Sequence, residues 1–123
     1  VADYTSNQVV TEKIKKKAGP MILELSRTKD ILAELGQNKG DRYLVGFAME
    51  TQNEVESARK KLDTKNADLI VLNSLRDEGA GFGHDTNKVT LIHRNGQNTA
   101  LDLKSKKQVA IDIVDAIEKA LLS

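Results

Sequence analysis

Three observations predict an α/β fold for this 123-residue chain. Short apolar runs alternate with segments of helical apolar spacing, the pattern of strands joined by crossover helices. The run "ADLIVLN" (67–73) is apolar on both faces, as a parallel sheet requires. An Asn95-Gly96 pair then separates "KVTLIHR" from "TALDLK" and marks a hairpin. The expected sheet is mainly parallel, with an antiparallel hairpin toward the C-terminal end.

The elements follow in order. The chain opens on "VADYTSN" without Met, which reads as the end of a strand whose beginning is missing, so a fragment is expected. "TEKIKKKAG" places Lys13, Lys15, Lys16 and Lys17 ahead of Gly19-Pro20 and predicts a loop, because like charges repel and Gly-Pro punctuates. "MILEL" (21–25) predicts a short strand. "TKDILAELGQ" predicts a helix, with Thr28 as N-cap, Ile31, Leu32 and Leu35 at helical spacing, and Gly36 as the stop. "YLVGFA" (43–48) reads as a buried strand. A helix is expected over 53–65, with Asn53 as N-cap and Val55, Ala58 and Leu62 facing inward. After the strand 67–73 comes a glycine-rich loop and then the hairpin. The last helix starts at Ser105 and should bury Val109, Ile113, Ile117 and Leu121 as one stripe. No repeat or linker divides residues 1–123, so one domain is expected.

Composition removes several function classes. A net charge of +1 leaves no global field for nucleic acid, so any anion site must be local. Aromatics at 3% and no Trp argue against base-stacking platforms. The absence of Cys excludes disulfides, thiolate metal sites and a cysteine nucleophile, and favours a reducing cytoplasm. No apolar run approaches the roughly 20 residues of a membrane span.

Local signals are sharper. In "ESARKKLDTKN" (56–66), Glu56 can meet Lys60 and Arg59 can meet Asp63 at spacing four. Lys61 has only Ser57 behind it and Lys65 ahead, so two ammoniums share one helix face with no carboxylate beside them. Solvated surface lysines are the ordinary reading. The alternative is an anion clamp on a polyphosphate beyond the carboxyl end of a strand. The lysine loop is ordinarily a solvated loop too, or else a lid over phosphates. "GAGFGHD" (79–85) lacks the helix that a dinucleotide fingerprint needs and reads as a flap or interface arm anchored by Phe82. His84 and His93 lack carboxylate support for a metal site, and no GxSxG elbow offers a covalent nucleophile. Asp3, at a strand end, is a ligand contact or a turn cap.

Taken together, "VADY", "EKIKK", "KDIL", "VGFAMET", "ARKKLDTKNADLIVLN" and "GAGFGHDTNKVTLI" resemble, in this order, the phosphopantothenoylcysteine synthetase domain. In bacteria that domain is often fused to a flavin-dependent decarboxylase, and FMN would enter only through such a fusion. The resemblance implies a Rossmann-like three-layer sandwich, a cytoplasmic homodimer, and the joining of 4′-phosphopantothenate to cysteine in coenzyme A biosynthesis. The implied co-substrate is CTP with Mg²⁺, forming an acyl-cytidylate and releasing pyrophosphate and then CMP. Carried over by position, it implies nucleotide contacts from Asp3, from Lys13 in the loop (the best catalytic candidate) and from Lys29, Asp30, Ile31 and Leu32, largely through backbone. It implies further contacts from Phe47, Lys61 and Lys65. Two departures stand out: Lys29 replaces the common Pro, and "VLNSL" replaces "AND" followed by Val. The family's upstream glycine-rich turn and its processing asparagine are not in this sequence, so a non-catalytic nucleotide-binding or dimerisation module is the alternative. Nucleic acid and membrane are not expected partners.

Overall fold

The structure is a computed structural model and describes residues 2–74, 83 and 85–123. The chain divides into two units, residues 1–31 and 32–123.

In the first unit, β1 (Tyr4–Ser6) and β2 (Leu25–Arg27) form an antiparallel ribbon with Tyr4 opposite Arg27 and Ser6 opposite Leu25. Thr28 closes it: its N–H donates to the Asp3 carbonyl at 2.9 Å and its hydroxyl to the Ala2 carbonyl at 2.6 Å. Two expectations change here. The strand expected at 21–25 forms only from Leu25, because its partner offers three residues; Met21, Ile22 and Leu23 stay unpaired and exposed. Thr28 ties the ribbon instead of capping the next helix, α1, which starts at Ile31 and runs to Gln37. The lysine-rich stretch has no regular structure, as a loop should.

The second unit is built on β3 (Val45–Glu50), α2 (Glu54–Thr64) and β4 (Leu69–Ser74). β3 and β4 are parallel and in step, Val45 against Leu69 through Glu50 against Ser74. β5 (Thr86–Asn87) and β6 (Val89–His93) follow, then β7 (Asn98–Ala100), β8 (Lys104–Ser105) and α3 (Lys106–Leu121). The main sheet has the order β3-β4-β6-β7, while β5 and β8 form a separate antiparallel pair. The expected α/β fold is present, but the described sheet is mixed, with one parallel pair and two antiparallel ones. Parallel pairing needs a crossover, and among the described residues only α2 supplies one between neighbouring strands of this sheet.

Strand alternation turns this sheet into the middle of three layers. Ile70 and Leu72 face Ala58 and Leu62 of α2, while Leu69 and Val71 share the other face with Val89 and Leu91 of β6 and pack with Val109 of α3. Residues 69–72 are at most 3% exposed, so β4 is buried on both faces. α3 contributes Val109, Ile113 and Ile117, but Leu121, expected in that stripe, is exposed because the helix runs past the end of the apolar cluster. The hairpin turns at Asn95-Gly96 as expected, with Gly96 at φ 97° and the His93 N–H donating to the Gln97 carbonyl at 2.9 Å.

Gly36 was expected to stop α1, yet it lies inside the helix and is buried. A Cβ there would sit 2.8 Å from the carbonyl carbon of Lys65 and closer still to its oxygen. It is a close-approach glycine, not a terminator.

Candidate functional site

Parallel pairing places the last residues of β3 and β4, Glu50 and Ser74, side by side at the carboxyl end of the sheet. Ligands of open α/β sheets bind beyond such ends. The connection to α2 is tight there. Asn53 stands at the N-cap in the left-handed region, φ 46°, and makes no side-chain cap; its carbonyl accepts the Ser57 N–H at 2.8 Å. The Ser74 hydroxyl donates to Glu54 Oε1 at 2.7 Å, pinning the first turn of α2 to β4. Asn87 Nδ2 donates to Asn73 Oδ1 at 2.6 Å and ties β5 to the same end.

Along the flank of α2 lies an open depression of about 380 Å³, lined by Glu50, Ser57, Lys60, Lys61, Thr64 and Lys65. It contains both lysines singled out in the sequence, one turn apart, and adds Lys60. Helical side chains lean toward the helix N-terminus, so these lysines reach back toward the end of β3. Lys61 is not without a carboxylate. Its Nζ lies 2.7 Å from Oε1 of Glu50, a residue outside the helix that spacing-four arguments never examine. The visible signal was the strand "GFAME", whose acidic last residue lies on the α2-facing side with Ala48. Arg59, expected to meet Asp63, instead donates to the His93 carbonyl at 2.6 Å and to Asn98 Oδ1, clamping α2 to the hairpin.

The remaining expected contacts are distributed as follows. Asp3, Lys13, Lys29, Asp30 and Ile31 belong to the unit of residues 1–31; Leu32, Phe47, Lys61 and Lys65 belong to that of 32–123. Asp3 uses its carbonyl to hold Thr28, and Lys13 is exposed in the loop. Lys29 and Asp30 are exposed immediately before α1. Leu32 packs over Gly46, where a Cβ would meet it at 2.9 Å, so its side chain is committed to packing. Phe47 is 67% exposed on β3 and does not line the depression. Phe82 and His84 lie outside the described residues, as does most of the expected flap.

Among the described residues, no group of three His, Cys, Asp or Glu side chains is placed to hold a metal. Burial, and then the Arg59 guanidinium, push the His93 imidazole below its usual range. It lies beside the clamp just described, with its carbonyl accepting from Arg59. No described helix is long and apolar enough to cross a membrane.

Comparison with known proteins agrees with this architecture. The chain is 50% identical over 117 residues to the Coenzyme A biosynthesis bifunctional protein CoaBC of Bacillus subtilis (strain 168), covering 95% of this chain and 29% of that protein. It is 48% identical over 118 residues to a "Cysteine/Cysteine sulfinic acid decarboxylase" of an unknown prokaryotic organism, covering 95% of this chain and 33% of that one. The chain thus spans about a third of the length of these curated relatives. A crystal structure of the C-terminal domain of CoaBC superposes with a TM-score of 0.76 at 40% identity, covering 98% of this chain and 50% of that one. Residues 1–121 match the family described as "DNA/pantothenate metabolism flavoprotein C-terminal domain", and the chain belongs to that family.

Proposed function

We propose that residues 1–123 are a portion of a phosphopantothenate–cysteine ligase domain acting in the cytoplasm in coenzyme A biosynthesis, with CTP as its nucleotide. The observation that carries this reading is the basic depression on α2, in a chain 50% identical to a segment of CoaBC. The reaction begins with attack of the 4′-phosphopantothenate carboxylate on the α-phosphorus of CTP, expelling pyrophosphate and leaving an acyl-cytidylate. The cysteine amine then attacks the acyl carbon, an amide forms, CMP departs and the amine loses a proton. Neither step needs a protein nucleophile. The protein's work is to hold the reactants in line and offset the charge of the phosphates.

Lys61 and Lys65 supply that charge on one side of the triphosphate, aided by Lys60. The proposal also keeps Asp3, Lys13, residues 29–32 and the exposed Phe47 as nucleotide contacts. Mg²⁺ fits as a substrate-borne ion: it binds through phosphate oxygens and water more readily than in an all-protein cage, and it neutralises the leaving pyrophosphate. FMN belongs to a fused decarboxylase and has no role in these residues. A homodimer is part of the proposal.

Calorimetric titration of the chain with CTP and then ATP, each with Mg²⁺, tests the reading beside a Lys61→Ala variant. The expected result is saturable binding, tighter for CTP, weakened about tenfold by the substitution, as loss of a charge-assisted contact implies. A folded chain that binds neither nucleotide refutes it.

A further inference from the structure

Among the described residues, Glu50 is the one acidic side chain lining the basic depression, and its sign is wrong for an anion site. Its backbone is fixed, because it ends β3 in register with Ser74. The Glu50 side chain is 18% exposed against 44% for Lys61, and its Oε1 is buried without a directed hydrogen bond. The Lys61 ammonium at 2.7 Å therefore compensates that oxygen. An ammonium on a four-carbon stem is otherwise mobile, and immobilising it costs rotamer freedom at the moment a ligand binds. A carboxylate anchored on the sheet removes that cost beforehand.

We propose that Glu50 is a positioning residue: it holds the Lys61 ammonium at the lip of the depression and so strengthens phosphate binding despite its own negative charge. The proposal rests on the nucleotide reading above. It makes a prediction opposite in sign to simple electrostatics, in which deleting a carboxylate from an anion site tightens binding.

The test uses Glu50→Gln, Lys61→Ala and the double variant, each titrated with inorganic tripolyphosphate and with CTP in the presence of Mg²⁺. Positioning through Lys61 predicts that Glu50→Gln weakens binding about fivefold in the parent chain and hardly at all in the Lys61→Ala background. Tighter binding in Glu50→Gln overturns the proposal, and so does equal weakening in both backgrounds. A second readout needs no phosphate ligand. Competitive acetylation read by peptide mass spectrometry should show Lys61 modified about threefold faster relative to Lys60 in Glu50→Gln, as a released side chain would be. An unchanged ratio overturns the positioning role. If the parent chain binds no triphosphate, the nucleotide reading falls and takes the ligand of this proposal with it. The acetylation ratio still decides whether Glu50 places Lys61.

Discussion

Replacing Gly36 by Ala tests whether the helix packing that supports the basic flank is as tight as the geometry requires. On helix propensity alone the change should stabilise α1 by about 1 kcal/mol. The structure demands the reverse. The added methyl would lie 2.8 Å from the Lys65 carbonyl carbon and 3.3 Å from Asn66 Cβ. The nearest obstacle is backbone, so no side chain can rotate away, and α1 must separate from the end of α2. Overpacking of this kind costs about 3 kcal/mol, at the upper end of its range. Separation also lengthens the 2.9 Å bond from Asn66 Nδ2 to the Gly36 carbonyl, worth about 1 kcal/mol. The net expectation is a loss of about 3 kcal/mol, or a fall in Tm of roughly 10–20 °C for a domain of this size. Urea denaturation followed by circular dichroism measures it, with the m-value serving as a check that unfolding stays cooperative. A variant as stable as the parent, or more so, refutes the close-approach argument.

Three further outcomes follow from other contacts. Asp68 accepts the Leu44 N–H at 2.8 Å and pairs with Lys39 at 3.2 Å, so Asp68→Ala should cost about 2–3 kcal/mol by chemical denaturation. Ser105 accepts the Gln108 N–H at 3.1 Å as N-cap of α3, and Ser105→Ala should cost about 1 kcal/mol in the same assay. The folded-state pKa of His93 is lowered from 6.5, first by burial and then by Arg59, so the unfolded chain binds its proton first on acidification. Its contribution to stability is full above 6.5 and lost as pH falls through the folded value. Stability measured against pH should therefore decline below that point in the parent and decline less in His93→Gln.

The parts of the fold legible in the sequence are those written in local pattern. "ADLIVLN" announced a strand buried on both faces, Asn95-Gly96 a hairpin and Ser105 a helix start, and each is present. What was misread depends on partners distant in sequence. The strand at 21–25 shrank because its partner is short, and Gly36 looked like punctuation although its reason is a carbonyl on another helix. The site divides in the same way. The convergence of Lys61 and Lys65 follows from helical spacing, whereas Glu50 belongs to a different element and is invisible to an i,i+4 count.

That division explains why the basic flank is a product of the β3–α2–β4 unit rather than of α2 alone. The in-step parallel ladder fixes where β3 and β4 end, and so where Glu50 and Ser74 stand. Ser74 holds the first turn of α2 through Glu54, Glu50 holds Lys61 in its later turns, and Arg59 binds the far side to the hairpin. The axial position of α2 is thereby set at both ends, and Lys65 is carried to its place with its carbonyl against Gly36. A change that shifts α2 along the sheet moves the strand-derived charge relative to the helix-derived ones. Anion affinity should therefore respond to substitutions such as Gly36→Ala that touch none of the charged side chains, and the size of that response measures how far the scaffold, and not the lysines alone, makes the site.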